Sequence, residues 1–372
     1  MKILYLTDQI YLHGGIEKVL SQKANYLADV SGDEVYVVTY NQQNNKPVYT
    51  FSNQIKFFDL NINYEILLSY FHPKNLKKVP KHRAALQNIL KKINPDVVVS
   101  CHYGPDFYFL PFLEKQIPKI KEFHSSRFYY WQNSGGLKDK ILKKLSSKIE
   151  KKYNNLVVLN DSEIEFYANK NIAVIPNPAE ITEEKANYTS KKIIAAGRIS
   201  PVKNFEELIT VFSRLAQDFP DWELHFYGED YLGTEEKLNT LIKKQGLDNQ
   251  IKFKKSVKDL KKTMSDYSIY AMTSHTECFP MVLLEALSIG LPVISYDAPT
   301  GPRYIINNNE DSFLIPNKNL DIFTEKLKIL MQDENLRKKM GAKASGNIHR
   351  FALDSILQRW KNMFDNLTSN TF

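Results

Sequence analysis

The chain has 372 residues and a formal net charge of +8, with 43% hydrophobic and 25% charged residues. That length suits two domains of ordinary size, and no apolar run approaches the ~20 residues a membrane-spanning helix needs. Its two cysteines, Cys101 and Cys278, give no disulfide framework, so a reducing cytoplasm is the expected compartment. Residues 2–7 read as a first strand, apolar for only four residues before a polar break, and not as a signal peptide. The turn His13-Gly14-Gly15-Ile16 follows, then a helix to about Ala28. Val35 to Tyr40, Val97 to Ser100 and Leu156 to Leu159 are apolar runs of strand length. Ile120 to Phe123 is a weaker strand, interrupted by Lys121 and Glu122, and residues 105–118 are aromatic-rich and irregular. A strand from Ile172 ends in the rigid turn Pro176-Asn177-Pro178, and the polar stretch Ala179 to Lys191, without apolar periodicity, is the expected linker.

A second alternation of strand and helix starts at Ile193. Its strands are Ile193 to Ala196, Glu223 to Tyr227, Ile251 to Phe253, Ile269 to Met272, Val293 to Ser295 and Ser312 to Ile315. Helices lie between them, for example Phe205 to Leu215 and Glu235 to Lys244. The end is helical again: Asp321 to Leu330, Glu334 to Met340, and Leu353 to Leu367 with Trp360 on its apolar face. Such alternation predicts an α/β chain of two doubly wound, parallel-sheet domains at residues 1–180 and 190–350, leaving one cleft between them. The helix at 351–372 is expected to pack back on the N-terminal domain.

Most of the positive charge falls in the N-terminal half. Lys74 to Arg83 carries no acid and closely follows the apolar run Ile66 to Phe71. Lys138 to Lys152 places lysines around Ile141, Leu142, Leu145 and Ile149 at helical spacing. Two readings stand: contact with an anionic membrane surface or anionic acceptor, or a solvated helix face. Nucleic acid fits poorly, since the basic runs lack interleaved stacking aromatics.

The stretch Thr276 to Ala286 is the most informative. Glu277 and Glu285 stand eight residues apart, the first on a loop after a buried strand, the second inside an apolar helix-forming run that Pro280 introduces. A helix start at a strand exit is a ready anion site. Gly197 to Asn204 also leaves a strand, and its Arg198 and Lys203 can clamp a pyrophosphate across the turn. Gly14-Gly15 lets backbone approach a ligand, although no G-x-G-x-x-G fingerprint is present. His124 follows a strand; His102, after Val97 to Cys101, is its rival. There is no D-x-D, no metal-type histidine pair and no G-x-S-x-G elbow, so neither a metal nor a cofactor is expected.

The E-x7-E arrangement, followed by Gly290-Leu291-Pro292-Val293-Ile294, resembles the donor-binding segment of the family 4 retaining glycosyltransferases. The resemblance runs over nearly the whole chain and is strongest from Ile193 to Ile306. It implies two Rossmann-like domains of the GT-B kind, the N-terminal one on the acceptor side and the C-terminal one holding a nucleotide sugar. Glu285 is implied to bind the ribose, and Arg198, Lys203 and the helix start from Phe279 to Val282 the diphosphate. Glu277 and the backbone of Cys278 to Met281 would hold the sugar. Gly228 and Val257 lie where the family contacts the nucleotide, and His124 with Gly14 and Gly15 would approach from the other domain. Asn177 resembles the family's interdomain turn. Cys278 and Pro280 depart from the glycines many members carry, and Ala298 to Arg303 resembles a subgroup that builds bacterial surface polysaccharides. The implied reaction moves a hexose or N-acetylhexosamine from a UDP-sugar to a glycan or lipid-linked saccharide, peripherally at the inner membrane face. A nucleotide-sugar epimerase of the same fold and a non-catalytic nucleotide-sugar binder are the alternatives.

Overall fold

The computed structural model describes residues 1–65, 67–128, 135–230 and 232–369. Ile66 of the first apolar run and residues 370–372 of the C-terminal segment lie outside these. The chain divides into two compact units, one formed by Met1–Asn177 with Asp354–Phe372, the other by Pro178–Leu353.

The first unit holds seven strands: β1 (Lys2–Leu6), β2 (Glu34–Thr39), β3 (Lys56–Asp59), β4 (Val97–Ser100), β5 (Lys119–Glu122), β6 (Asn155–Val158) and β7 (Ile172–Val174). Their order in the sheet is β3-β2-β1-β4-β5-β6-β7, all parallel. Leu4 of β1 pairs with Tyr36 of β2 on one side and Val98 of β4 on the other. Ile3, Leu4, Tyr5 and Leu6 are all fully buried, because helices cover both faces of a parallel sheet and its strands read as unbroken apolar runs. Strand order reverses between β1 and β4, so the chain exits there toward opposite sides and leaves room above the strand ends.

The second unit holds six parallel strands in the order β10-β9-β8-β11-β12-β13. They are β8 (Lys192–Ala196), β9 (Glu223–Tyr227), β10 (Ile251–Lys254), β11 (Ile269–Met272), β12 (Val293–Tyr296) and β13 (Ser312–Ile315). Its reversal falls between β8 and β11. The α/β doubly wound class read from the sequence is thus the one each unit adopts.

Several details differ from the sequence reading. β3, Lys-Phe-Phe-Asp, was not anticipated; it is a short, largely exposed edge strand. β5 starts one residue earlier than expected, and its Lys121 and Glu122 are buried rather than solvated. The irregular 105–118 region contains two 3₁₀ turns, Pro105–Tyr108 and Leu110–Phe112. The polar stretch after Pro178 packs on the second unit: the Ala186 N–H donates to the Ile289 carbonyl at 2.9 Å and the Tyr188 hydroxyl to Gly290 at 3.0 Å. Backbone and hydroxyl contacts hold it, and these leave no apolar periodicity to read. The terminal helix Leu353–Ser369 belongs with the first unit, where the buried Trp360 lies 4.1 Å under the Lys23 ammonium.

Candidate active site

In the second unit the loops that leave the carboxyl ends of the strands are knitted together. Gly197 follows β8 with φ +149, a conformation that favours glycine, and its N–H donates to Tyr227 at 2.9 Å. A Cβ there would press on the Lys203 side chain, so the glycine makes room for that lysine. Gly228, after β9, has no room for a Cβ at all, because one would collide with the Gly197 carbonyl. The Ile199 N–H donates to the Glu229 carbonyl at 3.0 Å, and Glu229 in turn accepts from the Ser256 hydroxyl at 2.5 Å, in the loop that leads to the half-buried Val257. Three loops therefore form one shelf.

Lys203 sits in the 3₁₀ turn Pro201–Lys203, and its ammonium lies 2.6 Å from Oε1 of Glu277. Seventy-four residues separate the two in sequence, and both side chains are mostly buried. The pairing is supported from below: the His275 N–H donates to Val202 and the Thr273 hydroxyl to Asn204, at 2.8 and 2.9 Å. Glu277 is also pinned by its backbone. Its N–H donates to Pro299, and its carbonyl accepts from Gly301 at 2.9 Å. Gly301 is required there, since a Cβ would meet the Cys278 carbonyl.

The helix Met281–Ser288 starts right after this loop, with Pro280 at its N-cap and no side-chain cap. The Leu283 N–H already donates to the Pro280 carbonyl at 3.1 Å, which leaves the earlier first-turn N–H groups as the donors. Cys278, Phe279 and Met281 turn their side chains inward, and Phe279 packs edge-on against Phe351 at 5.4 Å. Only backbone from these residues is offered to a ligand, while Val282 is half exposed. Glu285, one turn in, is buried. Tyr270 of β11 lies under both glutamates, and burial together with their charges drives its hydroxyl pKa up. Arg198 is exposed on the shelf and has no ion-pair partner among the described residues. Arg198, Lys203, Gly228, Glu277 and the helix start thus share the carboxyl edge of one sheet.

In the first unit the helix Gly15–Asn25 begins at the Gly14-Gly15 turn. Gly14 is extended (φ −160), and a Cβ there would run into the Glu17 carboxylate. Glu17 accepts from the Gln9 amide at 2.5 Å, and Gln9 accepts from the N–H groups of Tyr11 and Leu12. Gln9 and Glu17 shape this turn and were not singled out from the sequence.

Both histidines stand at strand ends on this unit, and each has a carboxylate partner. His124 Nε2 lies 3.3 Å from Glu122, and the His124 side chain is nearly buried. His102 Nδ1 lies 3.5 Å from Asp8, with its Nε2 3.2 Å from the Tyr70 hydroxyl. Glu122 also receives Lys23 through both oxygens, at 2.6 and 2.7 Å. Burial alone would raise its carboxyl pKa, but Lys23 and His124 beside it hold it well below the usual range. Lys121, wholly buried, donates to the Ser100 and His102 carbonyls, and burial brings its pKa down to about 8. Lys23, Lys121 and Glu122 were also missed as site neighbours; the one signal was the pair of charges interrupting a strand. A cavity of about 510 Å³ lined by Asn155, Asn171, Arg359 and Met363 lies elsewhere in this unit, between β6, β7 and the terminal helix.

Two family profiles match consecutive parts of the chain: "Glycosyltransferase Family 4" over residues 13–183 and "Glycosyl transferases group 1" over residues 176–346. An exopolysaccharide phosphotransferase of Streptomyces coelicolor is 32% identical over 201 residues, 53% of this chain but only 21% of that protein. The amylovoran biosynthesis glycosyltransferase AmsD of Erwinia amylovora is 24% identical over 98% of this chain and 99% of its own. Among solved structures, Staphylococcus aureus TarM in complex with fondaparinux, α-GlcNAc-glycerol and UDP superposes with a TM-score of 0.82 at 17% identity, covering 98% of this chain and 99% of that one. At that identity the likeness is one of fold.

Proposed function

The chain belongs to the glycosyltransferases of family 4 and group 1, and on that premise we propose that it transfers a hexose or N-acetylhexosamine from a UDP-sugar to a glycan or lipid-linked saccharide of a bacterial surface polysaccharide, with retention at the anomeric carbon. The observation that carries the reading is the Lys203–Glu277 pair beside an uncapped helix start, at the carboxyl edge of the sheet. The resemblance to AmsD and to UDP-bound TarM supports the substrate class.

In this reading Glu285 accepts hydrogen bonds from the ribose hydroxyls, and the loop of Gly228 and Val257 borders the base. Arg198, Lys203 and the N–H groups at the start of the Met281–Ser288 helix surround the diphosphate. Glu277 keeps Lys203 in place and accepts from a sugar hydroxyl, with backbone from Cys278 to Met281 completing the sugar's surroundings. In the same reading His124 is a catalytic group that reaches over the donor sugar, and Gly14 and Gly15 line the donor phosphates and the acceptor. As the acceptor hydroxyl bonds to the anomeric carbon, the bond to the diphosphate oxygen breaks and the hydroxyl proton passes to a phosphate oxygen. Charge gathers on the departing diphosphate, so fixed cations there lower the barrier more than they tighten ground-state binding. Removing one such group costs roughly a hundredfold or more in turnover.

The test begins with thermal shifts of the full chain against UDP, GDP, ADP and their common sugars. Stabilisation by UDP and UDP-sugars selects the donor class; no shift with any nucleotide refutes the reading. With a donor in hand, Lys203→Ala should lower kcat at least about a hundredfold with a small change in KM. Proton NMR of the product then reads the anomeric configuration.

A further inference from the structure

We propose that Glu122 is a positioning residue for His124: it holds the imidazole with its hydrogen on Nε2, so that Nδ1 is the nitrogen left to accept from a substrate hydroxyl. The arrangement begins in the sequence. Side chains two residues apart on an extended strand share a face. The Phe123 N–H donates to the Val157 carbonyl at 2.9 Å, which carries the ladder of β5 past Glu122. Glu122 and His124 therefore stand side by side, with Nε2 3.3 Å from Oε1.

Glu122 is 2% exposed, and a carboxylate alone at that depth would take up a proton. Lys23 prevents this by setting its ammonium against both oxygens. A ring nitrogen that faces an ionised carboxylate carries its hydrogen there, since two lone pairs at that separation repel. The neutral imidazole has a single N–H, so Nδ1 is bare. Nδ1 has no hydrogen-bond partner among the described residues. His102, the other strand-end histidine, has no such open nitrogen: its Nδ1 lies 3.5 Å from Asp8 and its Nε2 3.2 Å from the Tyr70 hydroxyl.

The inference rests on the reading of His124 as the group that reaches over the donor sugar. A bare Nδ1 accepts from a sugar hydroxyl and fixes where that hydroxyl's hydrogen points. An N–H in its place would turn the same hydroxyl around. Charge balance alone asks less of Glu122: Lys23 already supplies its counter-charge, and the tautomer of His124 would then be free.

The experiment is long-range proton–nitrogen correlation NMR of the full chain labelled at histidine, at about pH 8.5, where an ordinary imidazole is neutral. The chain has eight histidines, and the spectrum of His124→Gln identifies the signals of His124. Wild type should show the hydrogen on Nε2 and a bare Nδ1. Glu122→Gln should show the reverse. Lys23 can only donate, so it claims the oxygen of the new amide and turns the NH₂ toward Nε2, which must then accept. Glu122→Leu/Lys23→Met has no buried charge and gives Nε2 nothing to meet, so both tautomers should exchange; it carries the comparison if Glu122→Gln does not fold. With the UDP-sugar that the thermal-shift screen selects, Glu122→Gln should lower kcat about tenfold, the worth of one hydrogen bond, and leave the acceptor KM unchanged. A hydrogen on Nδ1 in wild type, or one tautomer throughout the series, overturns the proposal. So does an inverted tautomer with wild-type kcat. The tautomers are read without substrate, so a chain that binds no nucleotide refutes the transferase reading while the NMR series still decides whether Glu122 sets His124.

Discussion

Lys23 and Glu122 form the ion pair whose removal should be felt most. They are 1% and 2% exposed, and both carboxylate oxygens meet the one ammonium. Lys23→Met keeps the aliphatic stem over Trp360 and leaves Glu122 charged and buried, with only His124 and the Cys101 thiol beside it. Breaking such a pair from one side costs about 3–5 kcal/mol. For a unit of this size each kcal/mol moves the melting temperature by about 2–4 °C, so a drop of roughly 6–20 °C is expected. Adding Glu122→Gln removes the stranded charge and should restore much of the loss, with a coupling of about 2 kcal/mol or more in the double-mutant cycle. The pH dependence has a definite sign. Glu122 has a depressed folded-state pKa, so its stabilisation is fully present above the ordinary carboxylate value of 4.5 and is lost as pH falls below it. The gap between wild type and Lys23→Met should therefore narrow in acid. Thermal unfolding by circular dichroism from pH 7 downward reads all of this. A Lys23→Met melt within about 2 °C of wild type, or strictly additive mutants, would refute the reasoning.

Other outcomes follow from the same structure. His82 is buried among Tyr40, Tyr64 and Phe109, and burial takes its pKa down to about 4, so folding resists its protonation. Stability should fall by about 3 kcal/mol between pH 6.5 and pH 4 on this account, and His82→Gln should flatten that part of the Tm–pH curve; equal slopes would count against it. Gly228→Ala forces its new methyl against the Gly197 carbonyl, which should cost about 1–3 kcal/mol and weaken UDP binding in a calorimetric titration. Because Arg198 and Lys203 are proposed to supply the positive charge, EDTA should leave turnover unchanged in a coupled UDP-release assay; metal-dependent activity would remove them as the sole diphosphate clamp.

The strands that were legible in the sequence are those buried on both faces. Ile3 to Leu6 and Val97 to Ser100 are continuous apolar runs because helices cover both sides of their sheet. β3 escaped notice since an exposed edge strand such as Lys56–Asp59 carries no burial pattern. In the second unit the neighbourhood of Arg198, Lys203, Glu277 and the helix start could be read, because each follows a strand and parallel strands bring such positions to one edge. The direct Lys203–Glu277 contact could not, since spacing along the chain carries no information on which side chain faces which. In β5 the charges that weakened the strand reading are buried next to His124. Lys121 and Glu122 find their partners on β4, its following loop and the Gly15–Asn25 helix, far away in sequence, and local periodicity cannot foresee compensation of that kind.

The return of the last helix to the first unit sets an order for synthesis. Residues Pro178–Leu353 are contiguous and can fold as soon as they leave the ribosome, whereas the earlier unit lacks Trp360 until all of the second unit has been made. The unit begun first is therefore completed after the second, and Lys23 waits for Trp360 through the production of the entire second sheet.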